Sequence, residues 1–425
     1  MSNDLIRVPP IIHPTTGTVS TDINFAGFKA VALACDQGTS FPASPVTGQW
    51  FYKTDIKTLF LYEVAWKAII SFGAVNLYVD ATNGTDAVGK GYSSGAGATK
   101  TVQYAIDLIP PTNGGNVVIY ITAGTYNENL VIRGKVFSGD YSITLQGTDG
   151  TSVTNGTATG AGSDTDTYYL DDSGKAWTTD AYASYLIAIT GGTGAGQKRL
   201  IESNTATRLR IIGKWDTVPD GTSTYKVYLP GTVINKFNCA AGQTGVILNT
   251  LEMSANSYSE IYVGKNAALI TYNCRIANGG DAAIGWMAGL LIMCASFIQS
   301  ITGSGCVYFS ESPGSELILR YSWVKYSGTG SSSMLELKNG ATMILFEGTV
   351  ISNSVSNAIN VSQNSNVAVG WEGGIGGRAR IYNNSGWGVR CDAGGQAKYC
   401  GNPYYANNGS GNYSGDATSY GYAQA

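Results

Sequence analysis

The chain has 425 residues, with 26 Lys and Arg against 29 Asp and Glu for a net charge of −3. That balance offers no basic face to a nucleic acid, and the longest charge-free apolar run, residues 285–298, falls short of the ~20 residues a membrane span needs, so neither partner is expected. Only 13% of residues are charged and 56 are glycine, against a usual charged share of ~25%, which suits a long all-β chain with small, uncharged turns.

Taken in chain order, residues 1–75 come first. The start, MSNDLIRVPPIIHP, breaks on proline with no cationic-then-apolar leader, so a secretory signal is not expected. Residues 49–53 and 59–62 alternate as two strands around a turn near Asp55, followed by Trp66, and read as a β-hairpin. The residues Pro42, Pro45, Gly48-Gln49, Phe51-Tyr52, Thr54-Asp55, Leu61-Tyr62 and Trp66 resemble a short segment of bacteriophage tail-fibre proteins. The resemblance implies a region that attaches to the virion through tail or baseplate proteins.

Residues 76–149 open with a strand over 77–79 and a glycine-rich loop. Val102, Ala105, Ile106 and Ile109 then recur at helical spacing before Pro110-Pro111, and 117–121 reads as a strand. A short amphipathic helix here is expected to cover the raw end of a solenoid. The elements Tyr78-Val79-Asp80, Asn83-Gly84-Thr85-Asp86, Thr101 to Ile106 and Gly124-Thr125-Tyr126-Asn127-Glu128 resemble the entry segment of pectin-lyase-like right-handed β-helices, especially those of phage tail fibres and tailspikes. Residues 150–230 break the rhythm with several alternating strands and read as a small inserted β module. Its GGTGAGQKR lacks the Lys-Ser/Thr ending and following helix of a phosphate loop, so no nucleotide is expected.

Residues 231–400 repeat one phrase in different letters. IYVGKNAALIT, IGWMAGLLIM, VYFSESPGSELIL, LELKNGATMIL, INVSQNSNVAV and VRCDAGGQAKY start at steps of 23, 23, 28, 24 and 30 residues. Each unit reads as two short strands around a polar turn. Stacking units in parallel at ~4.8 Å per rung explains the repeat, because every coil must set its apolar residues in the same column. The expected fold is therefore all-β: a right-handed parallel β-helix, or solenoid, with an N-terminal hairpin attachment region and the inserted module. Residues 401–425 are rich in Gly, Asn, Ser and Tyr and carry little core; they either drape over the last coil or the neighbouring subunits, or stay disordered.

Alternation predicts what faces outward. In the first strand of each unit the middle residues Tyr262, Gly285, Tyr308, Glu336, Asn360 and Arg390 form an exposed ladder. Sugars are held by aromatic faces and planar polar side chains, so Tyr262, Tyr308, Glu336, Asn360 and Arg390 are the glycan-binding candidates. In the second strand Ile270, Leu291, Ile318, Ile344 and Ala368 point out although apolar, which marks Ile270, Leu291, Ile318 and Ile344 as a subunit interface. The resembled family implies a homotrimeric virion fibre or spike contacting host surface polysaccharide.

β-helices of that family often cleave polysaccharide. The candidate carboxylates here are Glu336, Glu347, Glu372 and Asp392, with Glu311 and Glu316 in a turn and Arg320, Arg378, Arg380 and Arg390 as basic partners; they are scattered, and a solvated surface accounts for them equally well. A non-binding head or injection-system decoration fibre is the other alternative. The only histidine, His13, lies in the proline-rich start, away from the coils, and no metal or cofactor is expected. Seven cysteines, Cys35, Cys239, Cys274, Cys294, Cys306, Cys391 and Cys400, include no C-x-x-C pair and read as reduced core residues of a chain folded in the host cytoplasm.

Overall fold

The computed structural model describes residues 35–164, 167–254, 260–278, 283–300, 307–309, 313–326, 333–371, 379–392, 394–399 and 404–414. It is a parallel β-solenoid with one short α-helix at its N-terminal end. Each full coil carries three strands where the sequence pattern gave two. The coil that begins at Ile261, for example, runs Ile261–Val263, Ala268–Tyr272 and Arg275–Asn278. The strands stack into three parallel faces, called the first, second and third sheets in the order in which a coil visits them; the first and third merge at the long strand Thr232–Cys239, which pairs with both.

The second sheet has ten strands, from Val75–Val79 through Ile143–Gln146 and Val246–Asn249 to Gln396–Tyr399. Among the described residues its inward positions are filled by apolar side chains, with Thr271 the polar exception. One such column is Val75, Val117, Ile143, Val246, Leu269, Leu291, Leu317, Met343, Val367 and Ala397, each at most 2% exposed. Stacked burial of this kind is the main stabilising term, at ~1.5–3 kcal/mol for each large apolar side chain.

Leu291 is therefore a core residue, not an outward one as the spacing suggested. The cause is a bulge one strand earlier. Ile261 pairs with Ile284, but Val263 pairs with Met287, so the strand Ile284–Met287 carries one extra residue and Gly285 is buried. One extra residue flips every side chain counted from the strand start. Ile292 takes the outward place instead, in register between Ile270 and Ile318. The remaining interface candidates, Ile270, Ile318 and Ile344, do point outward and are half-buried, as are Ile247 and Ala368 in the same column.

At the N-terminal end the helix Val102–Leu108 seals the stack. Val102, Ala105, Ile106 and Ile109 are all at most 1% exposed and join the solenoid core, as their spacing predicts. Thr101 caps the helix by accepting from the Tyr104 backbone N–H, and the Glu128 carboxylate accepts from the N–H groups of Val102 and Gln103, both at 2.9 Å. These bonds satisfy donors that a helix start leaves open. The N-terminal hairpin is present as Trp50–Lys53 and Thr58–Tyr62. It belongs to a six-stranded sheet that joins the solenoid where Ile70 and Ser71 pair with Thr112 and Asn113. Phe41 stacks on Trp66 at 4.9 Å beneath it.

Residues 154–228 form a seven-stranded antiparallel sheet, inserted between Ile143–Gln146 and the long first-sheet strand Thr232–Cys239. The insertion folds along the shaft and packs on the outward side of the third sheet. Leu186, Ala188, Leu200, Ile212 and Tyr228 from the module meet Phe297, Trp323 and Val350 from three successive coils. One rung further, Arg380 donates to the Glu202 carboxylate at 2.7 Å and the Tyr382 hydroxyl donates to it at 2.7 Å; the ion pair is 8% exposed on each side. The coils also continue past residue 400: Tyr404–Ala406 pairs with Arg380–Tyr382, and Gly411–Ser414 with Trp387–Cys391.

Candidate functional site

The first sheet sets the predicted ladder in one column. Asn238 pairs with Tyr262; beyond the bulge, Tyr308 pairs with Glu336, Glu336 with Asn360, Asn360 with Arg390 and Arg390 with Ser414. At ~4.8 Å per rung, Tyr262 and Arg390 stand five rungs, ~24 Å, apart. Tyr262 is 41% exposed. Glu336 is paired with Lys338 at 2.9 Å and Arg390 with Asp392 at 2.7 Å, each with a neighbour two residues along on the same outward face. The Asn360 amide oxygen is buried between them without a hydrogen-bond partner. The column thus offers the Tyr262 ring and, three rungs on, a carboxylate, an amide and a guanidinium on the consecutive rungs of Glu336, Asn360 and Arg390, its charges locally balanced.

The carboxylates do not converge. Glu336 lies on the first sheet, whereas Glu347 follows the second-sheet strand Thr342–Phe346. That strand alone spans on the order of 16 Å, beyond the ~5–9.5 Å that glycoside hydrolysis requires of its pair. Glu347 accepts from Arg320 at 2.9 Å and from the Tyr321 hydroxyl. Burial raises its pKa, but the Tyr321 and Arg320 bonds outweigh burial and hold the carboxyl below its usual value, the wrong direction for a general acid. Tyr321 moves the opposite way, pushed up to about 12 by burial and then by the Glu347 carboxylate. Asp392 is committed to Arg390, and Arg380 to Glu202. Glu372, Glu311 and Arg378 lie outside the described residues.

Two features escaped the sequence pattern. One is the third-sheet outward column of Glu252, Arg275, Phe297, Trp323, Val350 and Arg380, whose last four rungs the module covers. The other lies on the second sheet, where Tyr78, Tyr120, Gln146, Asn249 and Tyr272 share a column. Its signal was present in the strands NLYV and VVIYI, which place a tyrosine at the same outward offset.

No family model and no curated protein sequence matches the chain. Among solved structures, it is similar to a glycoside hydrolase at 8% identity and a TM-score of 0.30, over 81% of this chain and 96% of that one. It is similar to the tailspike gp49 of Pseudomonas phage LKA1 at 9% identity and a TM-score of 0.18, over 81% and 66%. A third is the gp54 tailspike of Acinetobacter baumannii bacteriophage AP22 in complex with capsular saccharide, at 12% identity and a TM-score of 0.16, over 71% of each chain. At TM-scores of 0.30 and below, such similarities assign neither a family nor a function.

Proposed function

We propose that the chain is the subunit of a homotrimeric virion fibre or spike, attached to tail or baseplate proteins through its N-terminal region and binding host surface polysaccharide along the first-sheet column. The observation that carries this reading is the unequal fate of the three outward faces. On the third, the rungs of Phe297, Trp323, Val350 and Arg380 are covered by the chain's own module. The second presents half-buried apolar residues from Ile247 through Ile270, Ile292, Ile318 and Ile344 to Ala368, a continuous strip suited to further copies of the chain. The first presents exposed Tyr262 and Arg390 with half-buried Glu336 and Asn360 in one column. Folding in a reducing cytoplasm agrees with the five described cysteines, none of which is in a disulfide: Cys239, Cys274 and Cys391 are buried, burial pushing the Cys239 and Cys274 thiols up to about 12, whereas Cys294 is half-buried and Cys35 is exposed, not core as its sequence context suggested.

The test is a glycan array probed with the purified chain and with Tyr262→Ala and Arg390→Ala. The expected result is binding to host-type capsular or lipopolysaccharide glycans that falls roughly tenfold with each substitution, as for the loss of one stacking or charge-assisted contact of ~1.4 kcal/mol. No binding to any glycan, or binding indifferent to both substitutions, refutes the assignment. Release of new reducing ends or unsaturated uronates, abolished by Glu336→Gln, would replace a binding fibre with a polysaccharide-degrading one.

A further inference from the structure

We infer that the N-terminal end of the second sheet holds a separate binding site for a neutral, hexose-based glycan. The inference shares with the proposed function only the class of ligand. It rests on different residues, on another sheet and on the coils nearest the cap helix.

The site is built around a small cavity of about 130 Å³. One wall is the outward column in which Tyr78 and Tyr120 stack on adjacent rungs, ring centroids 5.4 Å apart and planes 23° apart. The loop carrying Ser94, Gly95 and Ala98, which runs alongside the strand of Tyr78, also lines the cavity. Gln146 and Thr148 close the end toward the next coil. Beyond Gln146 the column continues to Asn249 and Tyr272, beside the apolar strip of Ile247 and Ile270, so the site itself is confined to the two coils nearest the cap helix and the rung of Gln146.

The polar groups are arranged for hydroxyls, not for charge. Neither the Tyr78 nor the Tyr120 hydroxyl has a hydrogen-bond partner among the described residues, and Tyr120 is 41% exposed. The Gln146 amide is fixed at both ends. Its oxygen accepts from Asn249 Nδ2 at 3.0 Å and its nitrogen donates to the Gly147 carbonyl at 2.8 Å, which leaves one N–H to give. No lysine or arginine lines the cavity. Its only acid, Asp80, is already spent on the backbone N–H groups of Thr82 and Asn83 and on the Asn83 amide, at 2.9–3.0 Å. An anionic sugar would find no counter-charge here. A neutral pyranose finds aromatic carbon for its C–H face and a held amide with two free phenols for its hydroxyls.

The experiment is titration calorimetry of the full chain with maltohexaose, cellohexaose and chitohexaose, and with a polygalacturonate octamer as the acidic counterpart. At least one neutral hexasaccharide is expected to bind, with an affinity unchanged by raising salt to about 0.5 M. Tyr120→Ala should weaken that binding roughly tenfold, the loss of one ring–sugar contact, and Gln146→Ala should weaken it in the same direction. Tyr262→Ala should leave it intact. Circular dichroism confirms that each variant is folded, which is expected because Tyr120 faces solvent. If none of the three neutral hexasaccharides binds, or if binding survives both Tyr120→Ala and Gln146→Ala, the site is refuted. Binding lost only with Tyr262→Ala or Arg390→Ala would likewise refute it while leaving the first-sheet column standing.

Discussion

Glu202→Ala will release the inserted module from the third sheet and cost about 3–5 kcal/mol, the usual penalty for removing one partner of a buried ion pair. The side chains of Glu202 and Arg380 are each 8% exposed and 2.7 Å apart, and the Tyr382 hydroxyl spends its proton on the same carboxylate. Removing that carboxylate leaves a guanidinium and a phenol in an interface otherwise made by Leu186, Leu200, Phe297, Trp323 and Val350. The charge, not the lost contact, sets the magnitude, so Glu202→Leu combined with Arg380→Met should recover most of the loss. Denaturant unfolding of the three proteins measures both numbers. Faster hydrogen exchange in Leu186–Gly191 and Trp323–Tyr326 of the single variant would place the loosening at the interface. An unchanged midpoint for Glu202→Ala would mean the module does not depend on this clasp.

The second large effect separates two neighbouring residues. Leu291→Arg should prevent folding, because it forces a charge into a column that is at most 2% exposed along its whole length. It loses the leucine's packing, about 2–5 kcal/mol, and adds several kcal/mol for an unpaired buried ion. Ile292→Arg should fold, since Ile292 is half-buried on the outward side. In a homotrimer joined through the apolar strip it would nonetheless place like charges in each interface. Soluble expression and circular dichroism report the first outcome. Sedimentation reports the second, with the parent at three times the mass of one chain and Ile292→Arg at the mass of one. A folded Leu291→Arg would overturn the register of the second sheet. A parent that sediments as a monomer would remove the strip's role as a subunit interface while leaving the fold intact.

The same pair of residues shows what a sequence can and cannot give. Ile270, Ile318 and Ile344 were legible because each coil keeps strict period-two alternation and differs from its neighbours only in turn length. Leu291 was not, because a bulge at Gly285 and Trp286 inserts a residue without leaving a mark in the apolar pattern. The third strand of each coil was hidden for another reason. Alternation is visible only where one side of a strand meets water. In FIQS, WVKY and VIS the outward residues Phe297, Trp323 and Val350 are buried beneath the module, at most 4% exposed, so both faces read as core. The cap helix announced itself through Val102, Ala105, Ile106 and Ile109, since a helix on a solenoid end has one wet side. The tail looked coreless because the strands Tyr404–Ala406 and Gly411–Ser414 stack at the end of the column, with no further coil over them among the described residues.

For the candidate site, the outward places of Tyr262, Glu336, Asn360 and Arg390 followed from alternation, whereas Gly285, expected in the same ladder, is buried by the bulge. What the sequence did not convey was how its charges are spent. Glu336 and Arg390 are each neutralised by a residue two places along, just past the strand end, a pairing that needs both side chains on one face. The clasp of Glu202 with Arg380 joins residues 178 positions apart, and no local pattern announces it.

The central claim, that residues far apart in the chain stand on consecutive rungs of one column, is open to a distance measurement. Spin labels introduced through a noncanonical amino acid at Tyr262 and Arg390 leave the native thiols untouched, and pulsed dipolar spectroscopy then gives their separation. Stacked coils predict ~24 Å for this pair, shrinking by one rung to ~19 Å when the second label moves from Arg390 to Asn360. A separation that fails to shrink by one rung, or that lies far from five rungs to begin with, would contradict the stack.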